Sequence, residues 1–436
     1  MLWLRKLILL LLVFISHEYE AIAQYAIPYT SLVVPVYKHT DLADPLYSAQ
    51  VVTSWEVPEH KKAKLLIDID APFSWHDCIV QWNIYPGSCP TNMLCESGVS
   101  CDEYQCTEVR SSYSYKNFLC PQVPNNSPGW GFCSCPVNVV NPITGSCDQG
   151  LLNYENLFVT TSNGRNPYDG FSVPTPNAAC LPSSSFESFP ANVSGVMALS
   201  TSRYALPEFL FQAENIVKAI AFCLPSTTSA PGVLFYGNGP YYFTSHTNVD
   251  IRSFLSYTPL LNHQNSFGYF IGVNAIVIKR RSIEVPINTT TKLSTIQPYT
   301  TLRTDIYNSV IGRFSKVTKP IPRAKPVTPF GLCFKSFTNG TGVSLKVPNI
   351  DFSLQEGKKW SISTANSIKQ VTDDVACLAF VDGGTTSEHA IVIGTFQFED
   401  NFLMFDLENS TFGFSSSLLS KQTSCANFNF TIVPRN

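Results

Sequence analysis

Fourteen cysteines behind an apolar leader constrain this 436-residue chain more than any other feature. Arg5 and Lys6 precede an apolar run over residues 7–15, and Ala21-Ile22-Ala23 offers a small-x-small cleavage pattern. This reads as a secretory signal peptide over residues 1–23, cut near Ala23/Gln24. The run is too short to span a bilayer comfortably, and no later stretch reaches the roughly 18 apolar residues of a membrane helix. The C-terminal residues carry no retention signal and no lipid-anchor tail. An extracellular protein with no membrane partner is expected. In that compartment cysteines pair. Nine of them lie within residues 78–147, and an odd number must send at least one bridge outside. Cys333, Cys377 and Cys425 cannot pair only among themselves, so one crosses to the first half. The expected arrangement joins Cys333 to Cys377 and makes Cys425 the crossing residue, with Cys223 singled out beside these three. Zinc ligation by Cys133-Ser134-Cys135 is the rival reading, but that spacing does not suit a zinc ribbon. No metal or cofactor is expected.

A chain this long exceeds one small core and fits two lobes. The lobe boundary is expected within residues 225–262, giving an N-terminal lobe over 24–240 and a C-terminal lobe over 241–436. Hydrophobic residues make up 44% of the chain and aromatics 13%, which favours packed globular structure over disorder. The net charge of -3 argues against a nucleic-acid partner, which would require clustered excess Lys and Arg. Six sequons begin at Asn125, Asn192, Asn288, Asn339, Asn409 and Asn429. They are expected on surface loops as glycosylation sites.

The chain reads as mostly strands. Short β-branched or aromatic runs occupy residues 32–37, 49–55, 64–69, 220–224, 233–236, 269–278, 377–381, 390–393 and 402–406, punctuated by Gly, Pro, Asn and Ser. One helix is expected to start at Leu206-Pro207-Glu208. A second opens at Thr304 as N-cap and places Ile306, Val310 and Phe314 on one face. Asp305 in its first turn serves the helix dipole. Residues 78–147 show little periodicity and read as a disulfide-stapled loop region, not as core. A weak two-fold echo runs through the chain. Leu66-Ile67-Asp68 is followed by Val193-Ser194-Gly195-Val196-Met197-Ala198-Leu199, and Lys292-Leu293-Ser294 by Val392-Ile393-Gly394-Thr395-Phe396.

The segment Leu66-Ile67-Asp68-Ile69-Asp70-Ala71-Pro72-Phe73-Ser74-Trp75 resembles the first catalytic segment of pepsin-like aspartic peptidases, with its Asp after an apolar pair and a Trp seven residues on. Read in the register set by Tyr307, Leu293-Ser294-Thr295 resembles the second such segment, with Ser294 where the second Asp would stand. Residues 392–396, 402–406 and 412–414 keep the order and spacing of the last pepsin-like sheet. Gln397-Phe398-Glu399-Asp400-Asn401, Gly413-Phe414-Ser415-Ser416-Ser417-Leu418-Leu419 and the tail from Thr423 to Phe430 resemble one plant group in particular. That group holds the wheat-type xylanase inhibitors, the extracellular dermal glycoproteins that inhibit xyloglucan-specific endoglucanases, the basic 7S globulins and the γ-conglutins. The contexts of Cys223 and Cys333 are similar to its cysteine contexts. The likeness spans nearly the whole chain after the leader and is weakest over residues 79–150. It implies a mostly β, bilobed pepsin-like fold with two antiparallel β-barrel-like lobes.

The chemistry follows from what the resemblance leaves out. Aspartic peptidases need two carboxylates sharing one proton, one acting as base on a water and the other as acid. Serine takes neither role. Asp68 and Ser294 therefore read as relic positions in a chain that is not an enzyme. Asp70 stands where the group often keeps Gly, a residue expected to permit a tight turn beneath the carboxylates. Ser294 lacks the Gly-x-Ser-x-Gly elbow of a serine nucleophile. What remains is binding. Members of the resembled group block the clefts of microbial glycoside hydrolases. Retaining glycosidases carry two carboxylates about 5–5.5 Å apart, which a basic side chain on an inserted loop can engage. The resemblance puts such a residue just before the last cysteine, here Lys421, and a second loop after Cys333, here containing Phe337 and Asn339. A glycan at Asn339 would obstruct that loop. The expectation is a monomeric defence protein of the apoplast or cell wall that inhibits xylanases or xyloglucan-specific endoglucanases. The alternative is a seed or cell-wall protein that binds peptides or other ligands.

Overall fold

The computed structural model describes residues 29–434 apart from 54–60, 82–88, 90–93, 114–119, 121–126, 130–131, 245–247, 265, 288 and 337–344. The leader over 1–23, the end of the 49–55 run, Asn125, Asn288, Phe337 and Asn339 lie outside the described residues.

The two-fold echo is structural. In the first half, strand Lys61–Asp68 runs parallel to Gly195–Ala198, with Ile67 opposite Met197 and Asp68 opposite Ala198. Gly195–Ala198 pairs antiparallel with Trp75–Asp77 on its other side. In the second half, Thr291–Leu293 runs parallel to Ile391–Ile393, which pairs antiparallel with Thr300–Leu302. Each three-strand unit closes around a glycine for a steric reason. A Cβ on Gly195 would lie 2.5 Å from the Trp75 carbonyl oxygen, and one on Gly394 2.6 Å from that of Gln297. The backbones meet too closely for any side chain at these two positions.

One antiparallel sheet joins the halves. Its order is Ser31–His39, Gly232–Tyr236, Ala219–Cys223, Phe402–Asp406, Thr411–Phe414 and Ser256–Leu261. The central strands Gly232–Tyr236, Ala219–Cys223 and Phe402–Asp406 are buried at every residue, as expected for apolar runs covered on both faces. All fourteen cysteines pair. Cys78 reaches out of the cysteine-rich region to Cys180, Cys223 joins Cys425 across 202 residues, and Cys333 joins Cys377. Cys133 and Cys135 bond to Cys101 and Cys106, so neither thiolate is left for zinc. Among the described residues, no helix is long and apolar enough to cross a membrane.

Several sequence expectations need correction. Residues 78–147 are not merely stapled loop. They contain helix Tyr104–Tyr113 and strand Pro136–Val140, and Val99, Val109, Val137 and Val139 are buried in a core with Trp75, Phe186 and Phe189. The buried positions there are single valines separated by short turns, too few in any window to set a period. The hairpin Cys147–Ser162 and Pro167–Leu181 was not read as strand, because its polar residues and prolines mask the alternation. The 269–278 run splits into Phe270–Ile271 and Val273–Ile278, and the 377–381 run breaks at Ala379. The second helix spans Thr304–Val317 and buries Ile306, Val310 and Phe314, but its N-cap is Arg303. The Thr304 hydroxyl instead donates to Asp382 Oδ1 at 2.7 Å. Asp305 accepts two bonds from the Arg303 guanidinium at 2.8 Å, which holds its carboxyl down at about 2.

Candidate functional site

The two units meet where their first strands end. Asp68 closes one strand, and Ser294 follows directly after the other. Between them lies a cleft of ≈ 350 Å³ whose lining includes Asp68, Asp70, Trp75, Lys292, Ser294 and Gln297. Asp68 Oδ1 accepts the backbone N–H of Asp70 at 2.8 Å. Loss of water around the Asp68 carboxyl, with the neighbouring charge of Asp70, lifts its pKa to about 6.

Ser294 is occupied by its own turn. Its hydroxyl oxygen accepts the N–H of Ile296 at 3.3 Å and of Gln297 at 3.0 Å, while its own N–H donates to the Ile393 carbonyl at 3.0 Å. A side chain holding the turn in this way supplies no second carboxylate to share a proton with Asp68. The next residue binds the halves together. Thr295 Oγ1 donates to the Ile67 carbonyl at 2.6 Å and accepts the Ile69 N–H at 3.2 Å. The matching position in the first half is Ile69, which is apolar and buried, so the connection runs one way only.

Asp70 occupies the cleft in a manner the sequence did not reveal. Its backbone is not in the left-handed region, so the expected need for glycine does not hold here. The change acts through the side chain. Asp70 forms an ion pair with Lys292 and accepts the Ser266 hydroxyl at 2.7 Å. Lys292 was not singled out from the sequence. The available signal was strand alternation, since residues 292 and 294 share one face. The cleft thus holds the Asp68 carboxyl beside an Asp70–Lys292 ion pair, an arrangement different from two carboxylates sharing one proton.

Lys421 sits far along the chain on the short helix Leu418–Lys421, exposed, with its Nζ 5.5 Å from the Phe254 ring centre. The following segment is fixed by the Cys223–Cys425 bridge and by the Cys425 N–H donating to Asp400 Oδ1 at 2.9 Å. Asn192, Asn409 and Asn429 are exposed.

Fold and site together define a pepsin-like protein in which Ser294 stands in the second half where Asp68 stands in the first. The chain belongs to the xylanase inhibitor family. The xylanase inhibitor N-terminal model matches residues 56–238 and the C-terminal model residues 268–416. Among its relatives, a Nicotiana benthamiana protein named probable aspartic proteinase GIP2 is 36% identical over 85% of this chain and 86% of its own. Gamma conglutin 1 of Prunus dulcis is 37% identical over 70% of this chain and 71% of its own. The crystal structure of edgp superposes with a TM-score of 0.77 at 32% identity, covering 93% of this chain and 99% of that one.

Proposed function

We propose that this chain is a secreted, proteolytically inactive member of its family that binds and inhibits microbial cell-wall-degrading glycoside hydrolases, either xylanases or xyloglucan-specific endoglucanases. In this reading residues 1–23 are removed and the lobes over 24–240 and 241–436 act as one monomeric binding body in the apoplast or cell wall. The observation that carries the reading is Ser294. In a chain matched by the xylanase inhibitor models over both halves, the residue at the second acid position has its hydroxyl engaged by two backbone N–H groups. The ion pair of Asp70 with Lys292 adds to this, because it fills the surviving half-site with a side chain that a water-activating dyad does not use. Function then moves to the outer surface. Lys421 is the proposed contact to the glycosidase carboxylates, with Phe337 and Asn339 on the second contact loop. Exposed Asn192, Asn409 and Asn429 are proposed glycan sites, as are Asn125, Asn288 and Asn339.

The likeness to a gamma conglutin supports a second reading, a seed or cell-wall binding protein that does not inhibit glycosidases. A panel of fungal xylanases and xyloglucanases separates the two. Loss of activity on adding the purified glycoprotein supports inhibition, and full activity throughout at micromolar protein would sink it.

A further inference from the structure

A buried group outside the cleft lining bears on how the cysteine-rich region is held. His76 lies on strand Trp75–Asp77, Glu96 on Cys95–Gly98 and Glu155 on Cys147–Ser162. All three are enclosed, at 1%, 2% and 2% exposure. One donor atom from each lies within 4.8 Å of the other two. His76 Nδ1 is 3.3 Å from the Asp77 carbonyl, which can only accept, so Nδ1 carries the proton in that bond. In a neutral ring the Nε2 lone pair would then face Glu155 Oε1, 3.3 Å away. Two acceptors would face each other across that gap. The nearby Cys78 sulfur is bonded to Cys180 and carries no proton to lend. Glu96 Oε2 is buried with no hydrogen-bond partner among the described residues.

We propose that His76, Glu96 and Glu155 form a buried site for a divalent transition-metal cation, with Zn2+ as its natural probe. A dication facing one neutral imidazole and two carboxylates leaves no net charge in the core. It supplies a partner for Glu96 Oε2, which has none among the described residues. One imidazole nitrogen with two carboxylate oxygens is a donor set that zinc accepts. The Asp77 carbonyl fixes the tautomer and ring orientation, as an outer partner of a metal-bound histidine does. The ion would tie three strands together where Trp75 enters both the cleft wall and the adjoining core. The competing arrangement holds the cluster together with protons alone. Burial and the charge of Glu155 push Glu96 up to about 8, while Glu155 holds the His76 proton up to about 9 against the effect of burial.

The test uses the disulfide-intact protein secreted into zinc-supplied medium and then desalted. Metal analysis, followed by unfolding in guanidinium with a chromogenic chelator, should give about one zinc per chain that is released only on unfolding. Glu96→Gln, nearly the same shape, should lose that zinc. His389→Ala should keep it, which separates this site from the more exposed His263, Glu388 and His389 group. Co2+ in place of zinc gives a readout that needs no variant, the visible spectrum of a low-symmetry site with a nitrogen ligand. Two results would overturn the proposal. One is metal-free protein with the same melting temperature from zinc-supplied and chelator-treated medium. The other is zinc retained by Glu96→Gln and lost by His389→Ala.

Discussion

Thr295→Val tests the link between the halves. Thr295 is 1% exposed, and its hydroxyl makes both bonds that cross beneath the cleft. Valine keeps the shape and removes the hydroxyl. The Ile69 N–H then loses its acceptor in a buried setting, which costs about 1–3 kcal/mol, and the bond to the Ile67 carbonyl, worth about 1 kcal/mol, is lost as well. The sum is about 2–4 kcal/mol. No reciprocal bond offsets it, because Ile69 has no hydroxyl. For folding units of this size the melting temperature should fall by on the order of 5–10 °C. Thr295→Ser keeps the hydroxyl, gives up one methyl, and should cost only about 1 kcal/mol. Thermal melts of the three proteins in one buffer decide the matter. A Val variant that melts with the wild type, or a Ser variant as weak as the Val variant, would refute the assignment of the cross-link to the hydroxyl.

Other predictions concern the cleft and the outer surface. Ser294→Asp alone should show no digestion of casein or haemoglobin at acid pH, because Asp70 and Lys292 still occupy the cleft; efficient cleavage by that single variant would show the first half-site to be intact. Asp68, raised to about 6 against an unfolded value of about 3.9, binds a proton more tightly when folded. Its effect on stability is therefore most favourable below about pH 4 and is lost as pH rises through about 6. Asp68→Asn should remove that slope from denaturation midpoints measured across the window. Lys292 lowers the Asp68 pKa, so Lys292→Met should raise it above about 6 and Asp70→Asn should lower it, both read by carboxyl NMR titration. Lys421→Ala should weaken glycosidase inhibition with little change in melting temperature, since an exposed cation–π contact is worth about 0.5–1 kcal/mol; unchanged inhibition would remove Lys421 from the contact.

The repeated units could be read from the sequence because each is local in kind. An apolar pair before Asp68, a leucine before Ser294 and a glycine within an apolar segment further on are visible as short patterns, and the backbone crowding at Gly195 and Gly394 explains why glycine recurs in them. The 304–317 helix was visible through Ile306, Val310 and Phe314 at helical spacing. Contacts between distant residues were not visible. The Asp70–Lys292 pair joins positions 222 apart, and nothing near either residue names the other. The core around Val99, Val109, Val137 and Val139 escaped notice because disulfides and turns, not a periodic run, bring those valines together. The His76, Glu96 and Glu155 group is scattered over three strands and matches no short metal motif.

The proposal of inhibition is tested most directly by titration. A fixed amount of the most sensitive xylanase or xyloglucanase is mixed with increasing glycoprotein, and residual hydrolysis is followed to saturation. Activity should fall linearly and break near one protein per enzyme, as expected for occlusion of a single cleft by a monomer. A flat line through a large excess of glycoprotein, against every enzyme tried, would contradict inhibition as the function of this fold.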